Sequence, residues 1–274
     1  MSTAKSANID LEKYRLRRFV DRLIDMGDVE VHDEPVALTS LGSIIERTEK
    51  AVLFKKAGPE GTEIVAKAAG SRSRVIAAFN STEEKIYDEY YKRLANPQKV
   101  VEIPSGDAPV HAVKITGKDV DLTKLPFYPH HAFDGSCYLS CGIDYVIDPA
   151  TGRRNVGSRR LSLRNRYETG TNVTAPSDLK RIYTACVARG EKLPITFTCG
   201  THPLDFVAAT MTTSERSNNP TACPRRLPAF RRQAAACQSD APGTAPAATP
   251  AGSATTAARR RTPDRDAAPA PAPS

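Results

Sequence analysis

"IDYVIDPATGRRNVGSRRLSL", residues 143–163, decides how the rest of the chain is read. Two β-rich runs flank a break at Pro149 and Gly152, so the stretch predicts a hairpin with Asn155 early in the returning strand. Carried on to Tyr167, the segment 151–167 holds six arginines and two asparagines. Such fixed positive charge on a strand asks for an anion, because a guanidinium presents a planar fork that pairs bidentately with carboxylate or phosphate. A solvated outer face accounts for Arg153, Arg154, Arg164 and Arg166. Arg159 and Arg160 are neighbours on the strand, so they point to opposite faces and cannot both clasp one ligand.

Downstream, "TAPSDLKRIYTACVARGE" predicts a helix capped by Ser177, with Asp178 in its first turn and Arg189 near its end, as the helix dipole favours. "LPITFTCGTHPLDFVAATM" returns to strand and then helix. Upstream, "DLEKYRLRRFVDRLIDMG" sets Leu11, Tyr14, Phe19, Leu23 and Ile24 near helical spacing, with Asp10 as N-cap and Gly27 as the stop. A short helix at "LGSIIERTE", strands at "KAVLFKKA" and "TEIVAKAAG" and a helix over residues 73–79 follow. "STEEKIYDEYYKRLAN" opens on a capping box, Ser81 to Glu84, and places Ile86, Tyr90 and Leu94 on one stripe. From about residue 110 the texture turns to strands and turns. The expected organisation is α+β: an α/β domain over 1–109, a β-rich domain over 110–215, and a tail over 216–274.

The tail differs in kind. Residues 216–274 hold 17 Ala, 10 Pro, nine Arg and three Asp, with no Lys, Glu, Ile, Val or Tyr. Such a composition cannot bury enough apolar surface to offset chain entropy, and disorder is expected. The tail carries +6 of the net charge of +8, leaving 30 basic against 28 acidic side chains in residues 1–215. No nucleic-acid partner is therefore expected of the body. "ARRR" at 258–261 would focus a basic arm if the tail bound nucleic acid. The other reading is translation out of frame, since Arg without Lys beside Ala, Pro and Gly is what GC-rich codons give in a wrong frame. No run approaches the ~18–20 apolar residues of a membrane span, and the first residues lack a secretory core, so a cytoplasmic protein without a membrane partner is expected. The six cysteines lack metal-site spacing and read as free, mostly buried thiols.

Taken in order, "FVDRLIDMGDVEVHDEPV", "PVHAVKITGKDVDLTKLP", "HHAFDG", "IDPATGRRNVGSRRLSL" and "THPLDFVAATM" resemble the UbiD family of reversible decarboxylases over about residues 11–213. The resemblance implies a flavin-reductase-like split β-barrel, here incomplete, that carries prenylated FMN, Mn²⁺ and K⁺ and removes CO₂ from an unsaturated or aromatic acid. Loss of CO₂ from an sp² carbon leaves electrons that the protein alone cannot stabilise, which is the need an electron-accepting cofactor meets. Matched residue by residue, the family's metal-binding Asn falls on Asn155 and its catalytic Arg on Arg160. Val156, Ser158, Arg159, Arg160, Ser177 and Asp178 would contact the cofactor. Asp178 stands where the family commonly has a metal-binding His; Mn²⁺ accepts carboxylate oxygen, and a first-turn carboxylate serving the helix dipole is the alternative. Backbone oxygens near Val156, Ala208, Ala209 and Met211 match the K⁺ site. His130 and His131 look like a metal pair but belong to a fold signature, where packing or support of the site is expected.

The resemblance also implies partners: a small aromatic carboxylic acid, a flavin prenyltransferase that supplies the cofactor, and further copies of the full-length chain. It stops at "TTSER". The family's third metal ligand, a Glu, and its acidic catalytic residues lie beyond that point, and the tail has no Glu; Glu215 precedes sequence that no longer matches. The substrate reading is 2,5-furandicarboxylate, with a hydroxybenzoate-type acid as alternative. A non-catalytic flavin-binding fragment is the other reading of a chain without the acidic groups.

Overall fold

The computed structural model describes residues 12–96, 104, 106, 108–173 and 175–211. Its first helix, α1 (Leu16–Asp25), buries Phe19, Val20 and Leu23. Asp10, the expected cap, lies outside the described residues. The helix starts at Leu16 behind Arg15, whose side chain makes no capping bond but pairs with Glu12 at 2.9 Å. Ile24 is 40% exposed, so the buried stripe runs through Phe19, Val20 and Leu23 without it. Gly27 is the stop: at φ +70° its N–H bonds the Ile24 carbonyl (2.8 Å) and Asp28 N–H bonds that of Leu23 (2.9 Å). This left-handed closure satisfies carbonyls that the helix end leaves open.

β1 (Val29–Val36), α2 (Leu41–Glu46), β2 (Ala51–Ala57) and β3 (Thr62–Ala66) follow. The strands form one sheet in the order β1-β2-β3, with β1 parallel to β2 and β2 antiparallel to β3. Four successive residues of β2, Ala51 to Phe54, are buried, as befits a central strand covered on both faces. Ala51 joins a core with Phe19 and Leu23, whereas Val52 and Phe54 pack with Leu41.

α3 (Arg72–Phe79) is capped by the Ser71 hydroxyl, which accepts from Arg74 N at 3.2 Å. Arg74 is only 2% exposed. Its guanidinium is nevertheless paired, to Asp28 at 2.9 Å and to the carbonyls of Lys67 and Glu49, so the buried charge is compensated. α4 (Ile86–Ala95) begins later than the capping box predicts. Residues 83–85 form a turn, and the Glu84 carboxylate bonds Thr82, which lowers its pKa, instead of reaching back to Ser81. Ile86 is buried and Tyr90 packs on the same core.

After short 3-10 turns at Pro109–His111, Gly117–Asp119 and Leu122–Lys124, the chain enters β4 (Tyr138–Ile147) and β5 (Arg154–Leu163). β6 (Thr169–Gly170), α5 (Asp178–Ala188), β7 (Thr196–Thr198) and α6 (Pro203–Thr210) complete the described elements. The second sheet is antiparallel in the order β6-β5-β4-β7. Among the described residues it is open rather than closed into a barrel, and the architecture is mixed α and β. Leu204 of α6 reaches the core that Phe19, Leu23 and Phe79 occupy. The tail from residue 216, Leu11 and Glu215 lie outside the described residues. Among those described, no helix is long and apolar enough to cross a membrane. Of the four described cysteines, Cys186 is buried and Cys137 partly so, whereas Cys141 and Cys199 are exposed as whole residues although their thiols are crowded by neighbouring atoms, so the expectation of mostly buried cysteines holds only in part; Cys223 and Cys237 lie outside the described residues.

Candidate functional site

The hairpin turns where its sequence says it should. Asp148 accepts from Ala150 N through its side chain (3.0 Å) and from Gly152 N through its carbonyl (2.8 Å), closing the turn between β4 and β5. The register then fixes which side chains share a face. Tyr145 pairs with Val156 and Ile143 with Ser158, and Ile143 and Val156 pack with Ala208 and Ala209 of α6. Val146 pairs with Asn155, Asp144 with Gly157 and Gly142 with Arg159, while Val146 packs with Leu179, Ile182 and Cys186 of α5. Alternation therefore puts Asn155 and Arg159 on the α5 side of the sheet and Val156, Ser158 and Arg160 on the α6 side.

On the α5 side, Asn155 is 7% exposed and lies beside Val146, over which the first turn of α5 packs. Ser177 caps that helix, its hydroxyl accepting from Lys180 N at 3.2 Å. Asp178, the first helical residue, is half exposed, and its nearest described cation is Arg181, 4.0 Å away. Arg181 also reaches Asp148 at 3.4 Å and so ties the helix to the hairpin turn. The Ala150 N–H, and after it Thr151 and Arg181, hold the Asp148 carboxyl below its ordinary range.

Arg159 has an unforeseen partner. Its Nε stands 3.1 Å from Oδ1 of Asp144, a fully buried carboxylate, and its Nη1 donates to the Asn172 carbonyl at 3.1 Å. Gly157 makes room for that carboxylate, since a Cβ there would lie 2.9 Å from Asp144 Oδ1.

On the α6 side, the Arg160 guanidinium lies over the Tyr138 ring, 4.5 Å from its centroid. Next to it, His130 packs against Tyr128 (4.5 Å between ring centroids) and Tyr138 (5.9 Å), and the Ser140 hydroxyl meets its ring nitrogens at 3.2 and 3.3 Å. Burial holds His130 below its usual pKa, and the charge of Arg160 pushes the same way. His131 is exposed and pairs with Glu46 at 3.4 Å, so the packing role expected of both histidines falls to His130 alone. Cys141 sits in the bulge of β4 at φ +57°, and burial raises its thiol. Cys199 is pushed up to about 11 by crowding and then by Cys141, so neither thiol is an activated nucleophile near neutrality.

The remaining arginines are only partly a solvated face. Arg166 donates to the carbonyls of Val120 and Lys118 at 3.0 Å and pairs with Asp121 at 3.6 Å, fastening the hairpin to the preceding turns. The reading from residues alone missed Asp144, Tyr138 and Ser140. A signal for the first existed: a carboxylate inside the apolar run of β4 must be paired if the strand is buried.

The donors present suit the groups the resemblance implies. Asn155 offers an amide oxygen and Asp178 a carboxylate oxygen, both hard donors for Mn²⁺, on one side of the sheet. Among the described residues no three His, Cys, Asp or Glu side chains converge. Val156, Ala208 and Ala209 share one hydrophobic cluster, and Met211 N–H bonds the Ala208 carbonyl at 3.3 Å.

Comparison with known proteins supplies the rest. Residues 101–221 match the family model described as "UbiD: 3-octaprenyl-4-hydroxybenzoate carboxy-lyase Rift-related domain". Anhydromevalonate phosphate decarboxylase of Methanosarcina mazei is 25% identical over 188 residues, 68% of this chain and 42% of its own length. Phenolic acid decarboxylase of Sedimentibacter hydroxybenzoicus is 25% identical over 217 residues, 71% of this chain and 44% of its own length. The structure of the UbiD-class enzyme HmfF from Pelotomaculum thermopropionicum in complex with FMN superposes with a TM-score of 0.71 at 24% identity, covering 78% of this chain and 48% of that one. An evolved dimeric form of the same enzyme in complex with prFMN gives the same TM-score. The chain thus spans less than half the length of the curated relatives it matches.

Proposed function

We propose that this chain is the cofactor-facing half of a UbiD-type decarboxylase acting on an aromatic or heteroaromatic carboxylic acid, a reading supported by the match of residues 101–221 to that family's model. The observation that carries this is Arg160: its guanidinium carbon stands over an aromatic ring, 4.5 Å from the centroid, and has no carboxylate among its described contacts, whereas Arg159 is taken by Asp144. A fixed cation against an aromatic wall can receive an aromatic carboxylate, with ring against ring and fork against carboxylate.

In this reading the boundary near residue 110 separates an N-terminal α/β domain from a partial split β-barrel. Asn155 and Asp178 would hold the divalent ion on the α5 side of the sheet, and the backbone of Val156, Ala208, Ala209 and Met211 would hold K⁺ on the α6 side, where Val156, Ser158 and Arg160 would line the flavin. Ser177 and the first N–H groups of α5 would suit an anionic group of the cofactor, since a helix start favours an anion. Prenylated FMN, when bound, accepts the electron pair that departing CO₂ leaves behind. Arg160 orients the substrate carboxylate, and His130, which burial keeps neutral, holds Ser140 and the Tyr138 edge in place. Cofactor supply by a flavin prenyltransferase and assembly of full-length copies belong to the same reading. The relative named for phenolic acids, and Arg160 standing over the Tyr138 ring, favour a hydroxybenzoate-type monoanion. 2,5-Furandicarboxylate would need a second cation beside Arg160.

The test is anaerobic titration of the full 274-residue chain with prenylated FMN and Mn²⁺, followed by flavin absorbance. The chain is expected to take up flavin, Asn155→Ala to lose at least tenfold in uptake, and Arg160→Ala to keep uptake while losing aromatic-acid binding. No flavin uptake by the unaltered chain, or unchanged uptake by Asn155→Ala, overturns the proposal.

A further inference from the structure

Arg159 spends its guanidinium on groups that belong to two different parts of the fold. Asp144 is on β4, 0% exposed, and Arg159 itself is 18% exposed, so this is an interior ion pair rather than a surface one. The sequence has cleared space for it twice. Gly157 leaves the volume that Asp144 Oδ1 fills, and Gly142 lets the Arg159 backbone close in, since a Cβ there would stand 2.9 Å from the Arg159 carbonyl. The second arm of the guanidinium reaches out of the sheet to the Asn172 carbonyl at 3.1 Å. Asn172 precedes Val173, which packs with Leu179 and Ile182 beneath α5, and five residues later comes the capping Ser177.

We propose that Asp144, Arg159 and the Asn172 carbonyl form a buried strap that sets where α5 begins, so that Arg159 is a positioning residue for Asp178 and Asn155 rather than a receiver of the ligand's charge. The purpose given to the strap rests on the metal-binding reading above; its existence does not. Asp144 anchors the charge of Arg159 against the sheet through the 3.1 Å contact at Nε. The guanidinium in turn holds one carbonyl of the segment leading to α5. Asn155 lies on the same face of the same strand, so the strap and the amide oxygen move as one body. A change in the strap therefore alters the separation between the two proposed oxygen donors without touching either.

The test uses the full chain and two variants. Asp144→Leu/Arg159→Met removes both charges together, leaving no lone buried ion. Arg159→Lys keeps a charge for Asp144 but lacks the second arm for Asn172. Amide hydrogen exchange of residues 175–181 is compared with that of β4 and β5, and Mn²⁺ binding is read by electron paramagnetic resonance. Both variants are expected to speed exchange in 175–181 at least tenfold while the strands keep their protection, and to weaken Mn²⁺ at least tenfold. Exchange in 175–181 at the unaltered rate in Arg159→Lys overturns the strap. Faster exchange with undiminished Mn²⁺ affinity overturns the positioning role. If the unaltered chain binds no Mn²⁺ yet the variants exchange faster there, the strap stands and the metal reading falls.

Discussion

His202 shows how much one side chain can do before any ligand is considered. It is 5% exposed, meets Tyr14 and Phe19 edge-on at 5.6 and 5.1 Å, and its Nδ1 accepts from Leu204 N at 3.2 Å to cap α6. Nδ1 must be unprotonated to accept, so the proton sits on Nε2. Burial, and then the charges of Arg93 and Arg22, bring its pKa down to about 4. In the unfolded chain it titrates near ~6.5, so between that value and about 4 only the unfolded state takes up the proton. Stability is then full above the unfolded value and falls as pH drops through this window, by on the order of 3 kcal/mol in total. His202→Asn keeps a capping acceptor and removes the titration. Its melting temperature should be lower at pH 7 but nearly flat down to pH 4.5, where the unaltered chain declines. A parallel decline in both would show that other groups set the acid limit.

In the hairpin, the alternation of β5 was legible from sequence as far as Arg159 and Arg160 facing opposite sides; which side each takes is set by the packing of α5 and α6. What could not be read was the partner strand: Asp144 meets Gly157 through the register that the turn sets, and only beyond Gly142 does a bulge at Ser140 and Cys141 shift the pairing. The same limit explains α4. The Ser81 to Glu84 pattern is a valid cap on local grounds, but Glu84 found Thr82 first and Arg72 took Glu83 from the side. Gly157→Ala is the prediction that belongs to the paired strands. The new methyl would press on a carboxylate that Arg159 and the sheet hold fast, at a cost of about 1–3 kcal/mol. Urea unfolding should show a lower midpoint with an unchanged slope. Asp144→Ala combined with Gly157→Ala removes the clash, so the two effects should fall well short of adding.

For the molecule as a whole, element types and the helix starting at Asp178 were readable because short-range chemistry sets them: Ser177 as a cap, Pro149 and Gly152 in a turn, a central strand buried on both faces. The candidate site was legible only through resemblance, since backbone donors and an amide oxygen leave almost no trace in composition. Resequencing the DNA around codons 210–220 is expected to recover a single-base change that restores a Glu-containing continuation. The continued chain should release CO₂ from an aromatic acid, where the 274-residue chain binds flavin without turnover. If the present reading frame is confirmed, DNA binding that weakens with salt and disappears on deletion of residues 216–274 would make the basic tail a working arm. The second sheet adds a consequence of its own. β4 and β5 are ten residues long, but β6 and β7 beside them run for two and three. Most of the outer rims of the two long strands thus carry amide groups that no neighbouring strand among the described residues pairs in a ladder, and such rims are templates for further strands. A preparation of this chain by itself is a surface on which its own copies can zip together, so its yield as a monomer will depend on dilution more than on temperature.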